Sequence, residues 1–239
     1  SISTPIASSG WGTGPPSLMG SLDLLITTAF VALASAVVAV LLGYPIGHWL
    51  SSLRRLRRLV TGVLLVPFVL PAFLIGLALR PLLGDALESS WVALGSIIFA
   101  HVLMNAGFLA VVTAASMPPR DQAEAARLEG ASTLQLRWYL QLPQQLPALS
   151  AAGLLVALYS ATSFGLVVTL GQGAVRTLET EIASAALQTL DLPTAGFLAL
   201  LQCVLTVGFF AAARRLGATP TVLFGEGEKT TSRSWLGGA

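Results

Sequence analysis

The sequence predicts an all-α fold, a polytopic bundle of about five transmembrane helices. Of its 239 residues, 54% are hydrophobic and only 10% are charged, and the mean hydropathy is +0.79. Soluble domains carry about a quarter charged residues, so these figures exclude a water-soluble globule. The apolar residues form five runs, at 22–42, 59–79, 91–115, 146–170 and 195–213. Each run is close to the ~20 residues with which a helix crosses ~30 Å of hydrocarbon, and none alternates as membrane strands do.

The first span is preceded by residues 1–20, whose Ser, Gly, Thr and Pro content predicts an extracytoplasmic segment. We expect Pro45 to kink or end the span that follows, because proline has no backbone N–H to donate. The span leads into the arginines of residues 54–58 rather than into a small-residue cleavage site, which excludes a signal peptide. Since the chain opens with Ser1, we expect it to be part of a longer or processed protein.

The later spans differ in their polar content. Pro67 and Pro71 lie in the second span, where neighbouring groups must compensate for each lost backbone donor. The fourth span has small and hydroxyl residues at 159–165, which suit either close helix packing or a polar pathway. Helical spacing of apolar residues over 177–190 predicts an amphipathic helix at the outer surface. The predicted transmembrane domain, residues 21–216, ends before a flexible tail or linker at 217–239.

The basic residues predict the orientation of the chain. Eleven of the 13 Lys and Arg residues fall in one alternating set of loops, namely 51–58, 116–145 and the segment from residue 214 onward. The opposite set holds only Arg80 and Arg176. Cytoplasmic loops carry an excess of Lys and Arg, so we predict that the N-terminus lies outside and the C-terminus in the cytoplasm.

The loop between the third and fourth spans, residues 116–146, carries the most specific pattern. It contains Glu124-Ala125-Ala126, then Gly130, then Leu142-Pro143. Two prolines at 118–119 end the third span, and we expect Asp121 to cap a new helix. We expect Gly130 to stop that helix at positive φ. The Leu-Pro pair is predicted to break a second helix over 133–141 and to redirect the chain.

This spacing resembles the cytoplasmic EAA loop of type I ABC importer permeases, the inner-membrane components of binding-protein-dependent transport systems. Leu140 stands where isoleucine is commoner in that family. The resemblance implies the type I permease fold in the plasma (inner) membrane of a bacterium. It also implies a translocation pathway and no catalytic activity, with ATP bound and hydrolysed by separate subunits.

The resemblance further implies four partners: a dimer of ABC ATPase subunits, a second permease unit in the same or a separate chain, an extracytoplasmic solute-binding protein and the lipid bilayer. Nucleic acid is not expected, since the net charge is only +2. In the family the loop is the contact with the ATPase. Carried over to matching positions, the coupling residues are Glu124, Ala125, Ala126, Arg127, Glu129, Gly130, Leu142 and Pro143.

The solute and its contacts are less defined. Residues 160–171, 177–182, 191–192 and 200–202 are similar to the ferric-iron and thiamine permease group, so either solute is predicted. Sulfate, molybdate, polyamines and phosphonates remain open. Polar residues within the spans are the pathway candidates, although His101 suits a hydrogen-bonded packing role equally well; the candidates are His101, Asn105, Ser160, Thr162 and Ser163.

The remaining chemistry is sparse. The sequence shows no phosphate-binding glycine loop, nucleophile motif or metal-ligand spacing, so no catalytic residue, cofactor or metal is predicted in this chain. Asp85 and Glu88, in an outer loop, suit either a delivery protein or solvent. The alternative function is a secondary transporter or a non-transporting polytopic membrane protein. The lack of Asp or Glu at mid-membrane counts against ion coupling.

Overall fold

The computed structural model describes residues 18–215, which are helical and contain no strand. The helices are α1 (Leu18–Ser52), α2 (Arg57–Val69), α3 (Ala72–Leu83), α4 (Ser90–Ala115), α5 (Arg120–Leu128), α6 (Thr133–Gln135), α7 (Leu142–Ala161), α8 (Phe164–Gly171), α9 (Leu178–Leu187) and α10 (Leu192–Arg215). A 3₁₀ turn, Gly84–Glu88, follows α3, and a π-helical turn, Leu136–Gln141, joins α6 to α7. The all-α prediction is confirmed. Of the predicted terminal segments, 217–239 lies outside the described residues, as does 1–20 apart from residues 18–20, which begin α1.

Three helices are long and apolar enough to cross a membrane: α1, α4 and α10. They coincide with the first, third and fifth predicted spans. The second and fourth spans are instead bent pairs, in which α2 and the α3 segment differ in direction by 85° and α7 and α8 by 54°. Counted as one span each, the pairs bring the described residues to the five spans expected.

The bend between α2 and α3 follows from proline. Pro71 immediately precedes α3, and Leu70 before it has φ −67° and ψ 140°, an extended conformation. A residue before proline is pushed out of the helical region by the proline ring, so the helix ends here. Pro67 lies inside α2 without ending it. The second span is therefore interrupted at Pro71, whereas Pro67 is accommodated within the helix.

Helix α1 contradicts one of the two expectations for Pro45, that it ends the first span. The helix continues through Pro45 to Ser52 without ending there. Its 35 residues correspond to a length on the order of 50 Å, so it extends past the ~30 Å hydrocarbon core. The exposed Trp49 lies near its C-terminal end. The helix persists because its last turns pack closely on α4 and therefore tolerate one missing hydrogen bond.

Small residues let α4 occupy the centre of the bundle, packed against α1, α2, α7 and α8. A Cβ atom on Gly43 would meet Leu109 Cβ at 2.5 Å, and one on Gly47 would overlap Thr113. On the other side of α4, a Cβ on Gly107 would overlap the carbonyl of Leu64 in α2. Lipid is as apolar as the side chains, so close backbone approach is a main source of helix association in membranes. The Gly43–Gly47 spacing is the sequence signal for this contact.

Candidate coupling surface

Helix α5, which carries the Glu-Ala-Ala motif, begins at Arg120 directly after two prolines. Its N-cap residue is Pro119, in extended conformation and without a side-chain cap. The prediction that Asp121 caps this helix is therefore wrong. Asp121 lies in the first turn instead, where its carboxylate still interacts favourably with the helix dipole. The start of α5 is thus determined by the restricted backbone of Pro119.

Helix α5 ends at a turn that confirms the prediction for Gly130. Gly130 has φ +90°, the left-handed region that only glycine adopts without strain. Its N–H donates to the carbonyl of Arg127 at 3.0 Å, and the N–H of Ala131 donates to the carbonyl of Ala126 at 2.9 Å. These two bonds form a Schellman motif, which satisfies carbonyls that the helix end leaves open.

The chain re-enters a helix two residues after this turn. Ser132 Oγ accepts from the N–H of Gln135 at 3.3 Å, while Gln135 Oε1 accepts from the N–H of Ser132 at 2.8 Å. This reciprocal capping box fixes the start of α6. The turn between α5 and α6 is therefore hydrogen-bonded on both sides, which limits its freedom to change angle.

The structure contradicts the predicted break at Leu142-Pro143. Residues 133–161 run as one helix through the π-helical turn, in which the N–H of Leu142 donates to the carbonyl of Arg137, five residues back. Pro143 lies in the first turn of α7. The wider π turn accommodates the residue that cannot donate a hydrogen bond. The segment after the motif is consequently a continuous rod leading into the membrane domain.

The predicted coupling residues fall into two groups. Glu124, Ala125, Arg127, Glu129 and Gly130 are exposed on α5 and its terminal turn, and Ala126 is half-buried. The second group, Leu142 and Pro143, lies on α7 beyond the π turn. Gln144 Nε2 donates to Gln122 Oε1 at 3.1 Å, which links the start of α7 to α5.

Four large apolar side chains of this segment are exposed, and sequence reasoning did not single them out. Leu128 is 90% exposed and Tyr139 82%, with Leu134 and Trp138 also exposed. We call the exposed side chains of residues 120–141 the coupling surface. Exposed apolar side chains on a polar segment are available to a partner protein or to the lipid interface. Their signal in the sequence is only their occurrence in a stretch that is otherwise polar, without helical periodicity.

Gln145 connects the coupling surface to the bundle. It is fully buried, and its Nε2 donates to the carbonyl of Thr113 and to Met117 Sδ, both at 3.2 Å. Thr113 lies in the last turn of α4, so one amide joins the end of α4 to the start of α7. The same end of α4 receives a bond from Arg57, whose Nη2 donates to the carbonyl of Ala114 at 3.3 Å. These bonds tie the start of α7 and the start of α2 to the same end of α4.

Within the part of the chain that the structure describes, no arginine near the coupling surface is paired with a carboxylate. Within residues 18–215, one ion pair forms, between Arg176 and Glu181 at the start of α9. The arginines of the α1–α2 loop and of the first turn of α2 lie on the same side of the bundle as α5, because Arg57, the first residue of α2, contacts the end of α4. They are exposed, as are Arg120, Arg127 and Arg137. This side of the described structure thus presents an excess of positive charge to its surroundings.

The pathway candidates do not share one environment. His101 and Asn105 are buried in α4, and Asn105 Nδ2 donates to the carbonyl of His101 at 2.7 Å. Ser160 is buried near the end of α7. Thr162 is exposed and Ser163 half-buried, both at the break between α7 and α8. The pathway role of these five residues stays a prediction.

At the other end of the bundle, α9 confirms the helix predicted between the last two spans. Thr28 of α1 fixes its start, because Thr28 Oγ1 accepts from the N–H of Leu178 at 2.9 Å. A cleft of about 360 Å³ lies at the same end as the 3₁₀ turn, lined by Arg80, Asp85, Glu88 and Gln172 among others. Asp85 and Glu88, the two outer-loop acids, therefore share one concave surface. No metal-binding group of His, Cys, Asp and Glu occurs within residues 18–215.

Comparison with solved structures identifies the fold. The chain matches a chain of the inward-facing MetNI methionine ABC transporter with a TM-score of 0.71 at 18% identity, covering 85% of this chain and 97% of that one. It matches a chain of a bacterial alginate ABC transporter with a TM-score of 0.67 at 17% identity, covering 85% and 81%. Both are ABC transporters, and at this identity the likeness shows the fold alone.

Comparison with sequences identifies the family. The chain is 36% identical over 95 residues to the Salmonella typhi permease protein PhnU, named for 2-aminoethylphosphonate transport, covering 40% of this chain. It is 30% identical over 205 residues to the thiamine transport system permease protein ThiP of Haemophilus influenzae, covering 77% of this chain. The chain spans about a third of the length of these relatives, 33% and 37%. Residues 35–216 match the pattern of the family described as binding-protein-dependent transport system inner membrane component. The chain therefore belongs to this family of permease components of ABC transporters.

Proposed function

We propose that this chain is one permease unit of an ATP-driven importer and that its coupling surface binds the ATPase subunit. The observation that carries the proposal is the construction of α5. The helix presents an exposed apolar residue, Leu128, next to a turn held by a Schellman motif and a capping box. Such a surface, on a rigid element joined to two spanning helices, suits mechanical coupling rather than a solvated loop.

The pathway for force follows the hydrogen bonds of the described residues. Closure of two ATPase subunits would move α5, and the Gln122–Gln144 bond would carry the motion to α7. The buried Gln145 amide would carry it to α4. In this proposal ATP energy biases two states of the bundle because the ATPase contacts each state differently. The chain itself performs no chemistry.

The proposed assembly lies in the bacterial inner membrane with the N-terminus outside and the C-terminus in the cytoplasm. The support is the positive-inside count together with the unpaired arginines on the α5 side of the bundle. A second permease unit completes the translocation pathway. Every described residue of α2 is at least partly exposed, so that helix has surface available for the second unit or for lipid. An extracytoplasmic binding protein delivers the solute at the opposite end.

For the solute we propose thiamine or ferric iron, supported by the resemblance of residues 160–202. Relatives are named for three different solutes, since the glycine betaine permease OpuAB of Bacillus subtilis also matches, at 30% identity over 125 residues. Thiamine is the one proposed solute that also appears among these names. Binding assays on the cognate binding protein should therefore include thiamine, ferric iron, 2-aminoethylphosphonate and glycine betaine.

The experiment is a cysteine cross-link at α5. Cys203, which is exposed, is replaced by serine, and Glu124→Cys provides the reactive position on the exposed face. The matched control is Leu187→Cys, which is 77% exposed on α9 at the other end of the bundle. The complex is purified from membranes of the native host, and the trapped partner is identified by mass spectrometry.

We expect Glu124→Cys to trap an ABC ATPase subunit, with a yield that changes when ATP is added, and Leu187→Cys to trap none. Trapping at both positions would show that the reagent reports proximity in the membrane and not coupling. No ATPase at Glu124→Cys, in protein that folds and inserts, would overturn the importer proposal in favour of a secondary transporter.

A further inference from the structure

The break between α7 and α8 exposes backbone groups within a membrane span. The chain turns by 54° here, and the first N–H groups after α7 pair locally: Thr162 donates to the carbonyl of Leu158 and Ser163 to that of Ser160. The carbonyl of Ala161, the last residue of α7, has a side-chain donor instead. Gln202 Nε2 of α10 donates to it at 3.2 Å. In hydrocarbon an unpaired carbonyl is costly, so this one amide stabilises the break.

Gln202 is distinguished from the rest of α10. Most of this helix is exposed, and its buried residues are Ala195, Leu198, Gln202 and Ala213. Gln202 is 8% exposed and is the polar member of that set. A buried glutamine among small and apolar residues is costly unless it is hydrogen-bonded. Its position therefore indicates a specific role at the break rather than general packing.

Several polar atoms around the break have no partner in this conformation. The buried atoms Gln202 Oε1, Ser160 Oγ and Ser163 Oγ have no hydrogen bond within the described residues. The Nε2 group of Gln202 is thus hydrogen-bonded, whereas its Oε1 atom is not. Unsatisfied polar groups in a low-dielectric interior are costly, and a second arrangement of the break that pairs them would recover that cost.

The half-helices beyond the two breaks pack on each other. Helix α8 contacts α3, and a Cβ atom on Gly165 would meet Phe73 Cβ at 3.2 Å, while one on Gly76 would overlap Thr169. This close contact joins α3 to α8, and the two helices are connected to α2 and α7 through bent junctions. Helix α8 also packs on α4, where Leu166 and Leu170 share a buried cluster with Ile97. The junction between α7 and α8 is the one that carries the Gln202 amide.

We propose that Gln202 is a positioning residue that holds the α7–α8 junction in this conformation, and that α8 changes its angle to α7 when the Gln202–Ala161 bond is exchanged. The inference rests on the proposed function, because it assigns the reorientation to the transport cycle. The Gln202 bond acts on α7, the helix that begins at the coupling surface. Movement of α5 therefore reaches the junction through a single helix.

The test measures the distance across the junction with two spin labels in purified full-length protein, in the Cys203→Ser background. Val168→Cys on α8 and Val204→Cys on α10 provide exposed labelling sites. Gln202→Leu removes the donor at little cost in apolar packing. Gln202→Glu restores a donor only when its carboxyl is protonated. Thr206→Val, one turn along α10, is the control for loss of a polar group away from the junction.

We expect the wild type and Thr206→Val to show one dominant distance without nucleotide. Gln202→Leu should at least triple the population of a second distance. At about pH 5 the Gln202→Glu variant should match the wild type. At about pH 10 the Gln202→Glu variant should match Gln202→Leu. Buried carboxylic acids titrate within this pH range. Helices α9, α7 and α1 also pack on α10 and carry titratable groups, so only the difference from wild type at each pH is assigned to residue 202. These groups are Glu179 and Glu181 on α9, Tyr159 on α7, and Asp23, Tyr44 and His48 on α1.

An unchanged distance distribution in Gln202→Leu would overturn the proposal, as would a Gln202→Glu variant without pH dependence. Failure of the proposed function is separately visible. If the cross-link at Glu124→Cys captures no ATPase, the distances without nucleotide still report whether Gln202 holds the junction. If the ATPase is captured and the distances do not respond to Gln202→Leu, only the proposed role of Gln202 fails.

Discussion

Substitution of Gly130 by valine isolates the contribution of one backbone conformation. Gly130 has φ +90°, and a Cβ atom built on it would meet no heavy atom within 4 Å. The replacement therefore introduces backbone strain without a steric clash. Valine is β-branched and strongly disfavours the left-handed region, whereas asparagine tolerates it. Glycine, asparagine, alanine and valine at position 130 should therefore give increasing backbone strain in that order.

The expected magnitude follows from two competing outcomes. If the turn stays intact, a non-glycine residue at positive φ costs about 1–3 kcal/mol. If the turn opens, it loses the two Schellman bonds from Gly130 and Ala131, each of which contributes about 1 kcal/mol net. The cheaper outcome prevails, so the penalty for valine is limited to about 2 kcal/mol. At ~1.4 kcal/mol per factor of ten, the turn should open roughly 10- to 30-fold more often.

Hydrogen exchange of the amides of Gly130 and Ala131 measures this opening in purified protein. We expect exchange in Gly130→Val to accelerate by roughly 10- to 30-fold and in Gly130→Asn by less than about threefold. Gly62→Val is the matched control, since Gly62 also has open space around it but lies in helix α2 without a positive φ. In proteoliposomes, the ATPase assembled with the valine variant should be stimulated less by the solute-loaded binding protein than the ATPase assembled with the wild type.

Two results would refute parts of this reasoning. Unchanged exchange in Gly130→Val would show that the Schellman turn does not hold the end of α5. Faster exchange with full stimulation of ATP hydrolysis would show that the turn exists but that its stiffness is irrelevant to coupling. The two measurements thus separate the structural claim from the functional one.

Three further predictions concern the bundle. Gly47→Leu should lower the free energy of unfolding by about 1–3 kcal/mol, because the new side chain overlaps Thr113; the measurement is the melting temperature in detergent. Gly95→Leu, whose side chain enters open space, should not lower the melting temperature. Equal shifts in the two variants would contradict the packing of Gly47 on α4. Gln145→Leu removes a donor from the carbonyl of Thr113 and should cost about 1 kcal/mol by the same measurement. Burial raises the pKa of Glu179 above its ordinary 4.5, so the neutral form is favoured in the fold and stability should fall as pH rises through and above that value. Glu179→Gln should flatten this slope in melting temperatures recorded from about pH 4 to about pH 7, and an unchanged slope would exclude Glu179 as its source.

Local patterns in the sequence were sufficient for the class of protein and for part of the site. The length and position of each hydrophobic run are read directly from consecutive residues, so the membrane bundle and the positions of α1, α4 and α10 were predictable. The left-handed turn at Gly130 was predictable too, because a glycine at the end of a short helix has one dominant use. Helix α9 followed from apolar spacing. These features depend on residues within a few positions of one another.

Tertiary contacts decided the features that the sequence did not show. Pro45 does not end α1, because α1 packs on α4 through Gly43 and Gly47. Pro143 does not break its helix, because a π turn absorbs the missing donor and the following Gln145 binds the carbonyl of Thr113 in α4. Gln202 gave no local sign that it binds the carbonyl of Ala161, which is 41 positions away. In lipid a backbone break is allowed wherever another element supplies the missing hydrogen bond. The identity of that element depends on which helices meet in three dimensions, and no local pattern contains this information.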